Sequence, residues 1–135
     1  MEIVSAGHEA WNAGDMDALG ELFDPDCIIV RGLAGWPEPG PFVGREEVMR
    51  QWITQRAVFE VDTLEPIGDL IDFGDRVIAR LTWHVAGGHG PDASMDYTVV
   101  YTLRKGKIFL FEFFWDHAEA LEAVGLSEQD ARANS

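Results

Sequence analysis

The chain has 135 residues, 47% of them hydrophobic, with eight Phe and five Trp; this supports one globular domain with a sizeable core and excludes a disordered chain. A formal net charge of −14 at pH 7 argues against nucleic acid or an anionic membrane surface as partner, since both need clustered Lys and Arg. The single cysteine, Cys27, rules out an intramolecular disulfide framework.

Residues 2–13 carry Ile3, Val4 and Trp11 among polar positions, a first helix closed by Gly14. The opening MEIVSAGHEAW lacks a basic region followed by an apolar stretch, so no signal peptide is expected. No apolar run reaches bilayer length, which predicts a cytoplasmic chain without a membrane span. Asp15 is placed to cap a second helix, DMDALGELF, with Leu19, Leu22 and Phe23 on one face, ended by Asp24-Pro25-Asp26. Residues 27–31 read as a short apolar strand holding Cys27 as a buried, inert thiol. The stretch GLAGWPEPGP is loop, Phe42-Val43 a brief strand, and REEVMRQWITQ a third helix with Val48, Trp52 and Ile53 at helical spacing.

Strand chemistry follows at about 58–71, 76–86, 94–104 and 107–116, with a loose Gly-rich hairpin at AGGHGPD and a tight one at RKGK. Asp116 and Glu119 form a capping pair for a last helix, HAEALEAVG. Helices first and an antiparallel meander afterwards predict an α+β domain over residues 1–126, with helices on one face of the sheet, and a C-terminal tail over residues 127–135. In TVVYTL and FLFEFFW both faces of the strand are apolar. A second subunit, in a homodimer through the outer sheet face, is therefore expected.

The order WNAGDMDALGELFDPD, strand, Pro/Gly loop, VGREEV helix, then a meander closing with YTLRKGKI and WDHAEALEAVGL resembles the SnoaL-like branch of the NTF2-like superfamily, over nearly the whole chain. The resemblance implies a curved sheet wrapped around a long helix, a cone with an apolar pocket. The fold hosts isomerases, cyclases, hydrolases and non-catalytic binders, so it does not fix the reaction. Ketosteroid isomerases of similar fold would need a tyrosine at Gly7 and carboxylates at Arg31 and near Val99, and all three are absent. The Asp-Arg-Asp relay of limonene epoxide hydrolases finds no matching pair in the meander. Among SnoaL-type cyclases the acid/base carboxylate falls nearest Asp116.

By the same alignment the concave face gathers Arg31, Arg80, Thr82 and His84, with Met95, Tyr97, Val99 and Tyr101, then Phe109, Phe111, Phe113 and Trp115, and Trp52 near the mouth. His84, in RLTWHVA, reads either as a general acid/base or as a satisfied interior or interface histidine. Arg31 reads as a countercharge for a developing anion or as a structural ion pair with Asp26 or Glu46. Asp116 reads as a helix cap before it reads as a catalytic carboxylate. Trp52, Arg80, Tyr97, Tyr101, Phe113 and Trp115 are the expected substrate contacts. Trp36 is a lid residue or a loop anchor, His89 is solvated in its hairpin, and His8 lies on a helix surface. The four histidines show no two-apart or four-apart pairing, and no P-loop, dinucleotide fingerprint or nucleophile elbow occurs. No metal or cofactor is expected. These residues favour a cofactor-independent acid/base enzyme of cyclase, isomerase or hydrolase type on a small hydrophobic, oxygenated molecule, with a non-catalytic ligand-binding or structural dimer as the alternative.

Overall fold

Gly14, at φ 73°, ends α1 (Glu2–Ala13), a left-handed position that suits glycine at a helix C-terminus. The computed structural model describes residues 2–31, 41–88 and 90–125. Asp15 caps α2 (Met16–Glu21), its side chain accepting from the Ala18 N–H at 3.1 Å. The helix stops short of the expected Phe23, which instead opens β1 (Phe23–Arg31). Asp24-Pro25-Asp26 lies inside that strand, where the pairing register shifts between Phe23 and Ile28 and a proline is tolerated. β2 (Phe42–Val43) and α3 (Arg45–Arg56) follow as expected. The single strand expected over residues 58–71 divides into β3 (Val61–Pro66) and β4 (Ile71–Phe73). The meander is β5 (Arg76–Ala86), β6 (Ala93–Arg104) and β7 (Lys107–Phe114), and α4 (His117–Ala123) closes the described chain. Lys105 and Gly106 both take positive φ, 52° and 76°, as a two-residue hairpin with the twist of its strands requires.

The strands form one mixed sheet in the order β2-β1-β7-β6-β5-β3, with β4 paired to β5. Only β1 and β7 run parallel. The sheet curves around α1, α2 and α3, and its inner face buries the main core of Val4, Phe23, Ile29, Val48, Val99 and Phe111 with their neighbours. The last helix departs from the expectation of helices on one face. α4 packs on the outer side, where Ala120, Leu121 and Val124 cover Ile71, Ile78, Val100 and Phe114. The outward apolar residues of the meander are thus buried within the chain, and the two-sided pattern does not require a second subunit.

Pairing of β5 with β6 sets which residues face inward. Ala79 lies opposite Val99, Leu81 opposite Tyr97 and Trp83 opposite Met95, so odd-numbered residues of both strands share the inner face. Arg80, Thr82 and His84 point outward, one position out of phase with the expectation. The alternation Val77, Ala79, Leu81, Val85, every member buried, decides the register, because a one-residue slip would turn all four away from the inner core. In β7 the register shifts between Thr102 and Leu103 of the partner strand, which brings Ile108 to the interior in place of the expected Phe109.

Leu121 has no exposed surface. Leu121→Ala should cost about 2–5 kcal/mol in urea unfolding. A loss under about 0.5 kcal/mol, the range of surface substitutions, would show that α4 does not pack on the outer face.

Candidate functional site

Three turns of α1 carry Val4, His8 and Trp11 at helical spacing, one face that also includes Gly7, and this face lines a cavity inside the cone. α2 adds Leu19, α3 adds Trp52 and Gln55, β3 adds Leu64, and β5 adds Trp83. Tyr97 and Tyr101 of β6 stand beside Phe111 and Phe113 of β7, as strand alternation places them. The rings pack edge to face: Trp52 meets Trp11, Phe111 and Phe113 at centroid distances of 6.0, 6.4 and 5.8 Å. The cavity holds about 70 Å³, small beside the roughly 300–1,000 Å³ of ordinary ligand pockets. A ligand of two rings therefore fits only when wall side chains move.

Two polar arrangements stand in this apolar setting. At the first, His8 Nε2 and the Tyr101 hydroxyl are 2.9 Å apart, and both residues line the cavity. Burial lowers the His8 pKa to about 4 and pushes the Tyr101 phenol well above its usual value. The pair is neutral at pH 7: an uncharged imidazole against an un-ionised phenol. At the second, Asp62 of β3, 2% exposed, accepts at Oδ1 from the Trp11 and Trp83 indole N–H groups, at 2.9 and 2.7 Å. Burial raises the Asp62 pKa against the opposing pull of these two donors. Arg56 stands close by. Its Nη1 donates to the Asp62 backbone carbonyl at 2.7 Å, and its guanidinium lies 5.1 Å from the Trp11 ring centroid.

Of the residues expected in the site, the structure brings together Trp52, Tyr97, Tyr101 and Phe113. Arg80, His84, Trp115 and Asp116 lie elsewhere. Arg80 is exposed on the outer face. His84 lies there too, its Nδ1 2.7 Å from Ser94 Oγ and its Nε2 3.1 Å from Glu65 Oε2. The carboxylate can only accept, so Nε2 donates to it, and the Ser94 hydroxyl pairs with Nδ1, a satisfied surface histidine. Trp115, 44% exposed, follows the end of β7 and lies outside the cavity lining. Asp116 is the N-cap of α4, accepting from the Ala118 N–H at 2.9 Å. Arg31 ends β1, and its side chain, with Trp36, His89 and residues 126–135, lies outside the described residues. Cys27 is buried, and its thiol pKa rises to about 11, which suits an inert core residue. Among the described residues no group of three His, Cys, Asp or Glu could hold a metal.

His8, Trp11, Asp62 and Trp83 were missed as site residues. The signal for His8 was its spacing, four after Val4 and three before Trp11, the buried face of α1. Asp62 shares strand parity with Leu64, which would have turned it inward.

A mixed, mainly antiparallel sheet curved around helices, with an aromatic cavity holding a few buried polar groups, defines a cone-shaped α+β fold of the NTF2-like kind. The sequence pattern of the SnoaL-like domain matches residues 4–111, and the chain belongs to that family. No curated protein matches the chain. Among solved structures, TerC co-crystallized with polyporic acid is similar at 22% identity and TM-score 0.71, covering 90% of this chain and 94% of its own. A polyketide cyclase candidate from Sinorhizobium meliloti is 23% identical, TM-score 0.68, over 84% of this chain and 94% of its own. A Mycobacterium tuberculosis protein in complex with estradiol-17β-hemisuccinate is 17% identical, TM-score 0.72, over 85% and 92%. At these identities the likeness shows the fold. No described helix is long and apolar enough to cross a membrane.

The low His8 pKa has a stability consequence. Below about pH 6.5 the unfolded chain takes up a proton that folded His8 refuses until about pH 4. Stability therefore falls as pH drops through that window, by up to about 3 kcal/mol. His8→Gln should flatten this fall in urea unfolding between pH 7 and 5, and an unchanged slope would mean that His8 titrates as an exposed histidine. His84→Ala, by contrast, should change stability by no more than about 0.5 kcal/mol, as surface substitutions do.

Proposed function

We propose that the chain holds a small apolar, oxygenated molecule inside the cone and acts on it by acid/base chemistry without a cofactor, with Tyr101 and His8, not the outward His84, as its polar pair. The observation that carries this is the 2.9 Å contact between two neutral groups, one imidazole and one phenol, in an otherwise aromatic cavity. With its proton on Nε2, His8 donates to the phenol oxygen and Tyr101 offers its own O–H to a ligand carbonyl oxygen. A donor fixed in a buried site steadies the negative charge that gathers on a ketone oxygen while the α-proton passes to a solvent base. Trp52, Tyr97 and Phe113 hold the ring system. Two similar structures with bound small organic molecules support the ligand class.

A second reading, a non-catalytic binder, is favoured by the same imidazole. A base of pKa about 4 removes protons weakly. α-Tetralone, a two-ring ketone, separates the readings. Its binding, followed by tryptophan fluorescence, should weaken about tenfold in Tyr101→Phe, the usual scale of one hydrogen bond, while tetralin, lacking the oxygen, binds both forms equally. Equal loss for both compounds would remove Tyr101 as the oxygen's donor. Exchange of the α-proton for deuterium faster than in buffer marks catalysis, and exchange at the buffer rate marks a binder.

We also propose a homodimer through the part of the outer sheet face that α4 leaves open, around Thr82, His84 and Asp96. Thr82 Oγ1 donates to Asp96 Oδ1 at 2.8 Å there, so the surface is polar and the contact modest. Light scattering at micromolar concentration should give twice the chain mass, and a single-chain mass overturns the pairing.

A further inference from the structure

Asp62 holds a carboxylate oxygen that nothing in the fold satisfies. Oδ1 is taken by two indole N–H groups, whereas Oδ2 is buried without a hydrogen-bond partner, the one such side-chain atom among the described residues. The nearby cation does not supply it, because the Arg56 bond goes to the backbone carbonyl of Asp62. Buried polar atoms are almost always paired, so an orphan of this kind marks a place where something else binds.

We propose that the pocket selects ligands carrying a positively charged nitrogen, with Asp62 Oδ2 accepting the N–H. This rests on the reading of the cone as a small-molecule pocket and names the chemistry of its ligand. Trp11 and Trp83, which hold Oδ1, also line the cavity, so the carboxylate stands behind the cavity wall. The cavity of about 70 Å³ admits a ring-sized ligand only if wall side chains shift. Moving either indole strips a donor from a carboxylate that already lacks one. A ligand that merely fills apolar space would leave Asp62 more poorly solvated than before. An ammonium group replaces the lost donor and balances the charge in the same contact. Trp11, Trp52, Trp83 and Tyr97 line the cavity in front of it, and aromatic rings favour a cation over a neutral group. A proton resting on the carboxylate with a neutral amine arriving, or a carboxylate meeting an ammonium, leads to the same bound pair. The net charge of −14 adds a long-range preference, drawing cations and repelling anions.

Calorimetric titration of the full chain with 2-phenylethylamine, 2-phenylethanol and 3-phenylpropionate at pH 7 tests the proposal with one ring and three end groups. The amine should bind at least about tenfold more tightly than the alcohol, and the carboxylate least. Asp62→Asn keeps an oxygen for both indoles and should bring the amine down to the affinity of the alcohol. Should that variant fail to fold, the wild-type indole N–H resonances of Trp11 and Trp83 decide: the amine shifts both and the alcohol does not. Equal affinity of amine and alcohol, or a bound amine that leaves both resonances in place, overturns the selection while α-tetralone binding keeps the pocket reading intact. Silence of all three probes together with α-tetralone overturns both.

Discussion

Asp62 of β3 joins three other elements, two of them through its carboxylate. Through Trp11 it holds α1, through Trp83 it holds β5, and its own backbone carbonyl takes Arg56 from the end of α3. The position of α1 inside the curved sheet depends on this junction, and with it the inward turn of His8 one helical turn earlier. Hydrogen bonds are directional. An apolar contact at the same place would bury a similar area without fixing the rotation of the helix. The junction sets which face of α1 looks into the cone, and the chemistry of the cavity follows from it.

The cavity separates two kinds of polar group by environment. His8 and Tyr101 are both driven to their neutral forms by burial, so their contact carries no net charge and suits an oxygen that is itself neutral at rest. Asp62 keeps the means to be ionised because two indoles donate to it, although burial opposes the charge. Trp11, three residues after His8 on the same face of α1, ties the two sites to one helix. Any displacement that enlarges the cavity beside Trp11 also disturbs the carboxylate.

Much of this was legible in the sequence. Gly14, Asp15, Lys105-Gly106 and Asp116 act through local backbone chemistry, and each does in the structure what its neighbours implied. Tyr97, Tyr101, Phe111 and Phe113 lie where strand alternation places them, whereas the register shift in β7 takes Phe109 out of that row. The phase of β5 was not legible, because RLTWHVA offers a polar and an apolar face and only pairing with β6 chooses between them. Arg80, Thr82 and His84 looked like pocket chemistry because polar residues on one strand face resemble a site when the opposite face is unseen. The two-sided apolar pattern is visible in the sequence, but its cover is α4, an element of the same chain whose side of the sheet no local signal announces. His8 was hidden by residue type alone: a histidine on an early helix reads as surface unless its spacing from Val4 and Trp11 is weighed.

Asn12, next to the Trp11 junction, turns its side-chain amide onto the backbone of β3. Its Nδ2 donates to the Leu64 carbonyl at 2.9 Å, and its Oδ1 accepts the Leu64 N–H at 2.7 Å. β3 ends the sheet order, so the outer side of Leu64 is where another strand would add. The primary amide presents the same donor and acceptor as a peptide group, and it fills that position as a single-residue imitation of a neighbouring strand. Exposed strand edges are templates for aggregation and domain swapping. By ending α1 on this amide, the chain uses one side chain to close its sheet against further strands at the border where it is otherwise open.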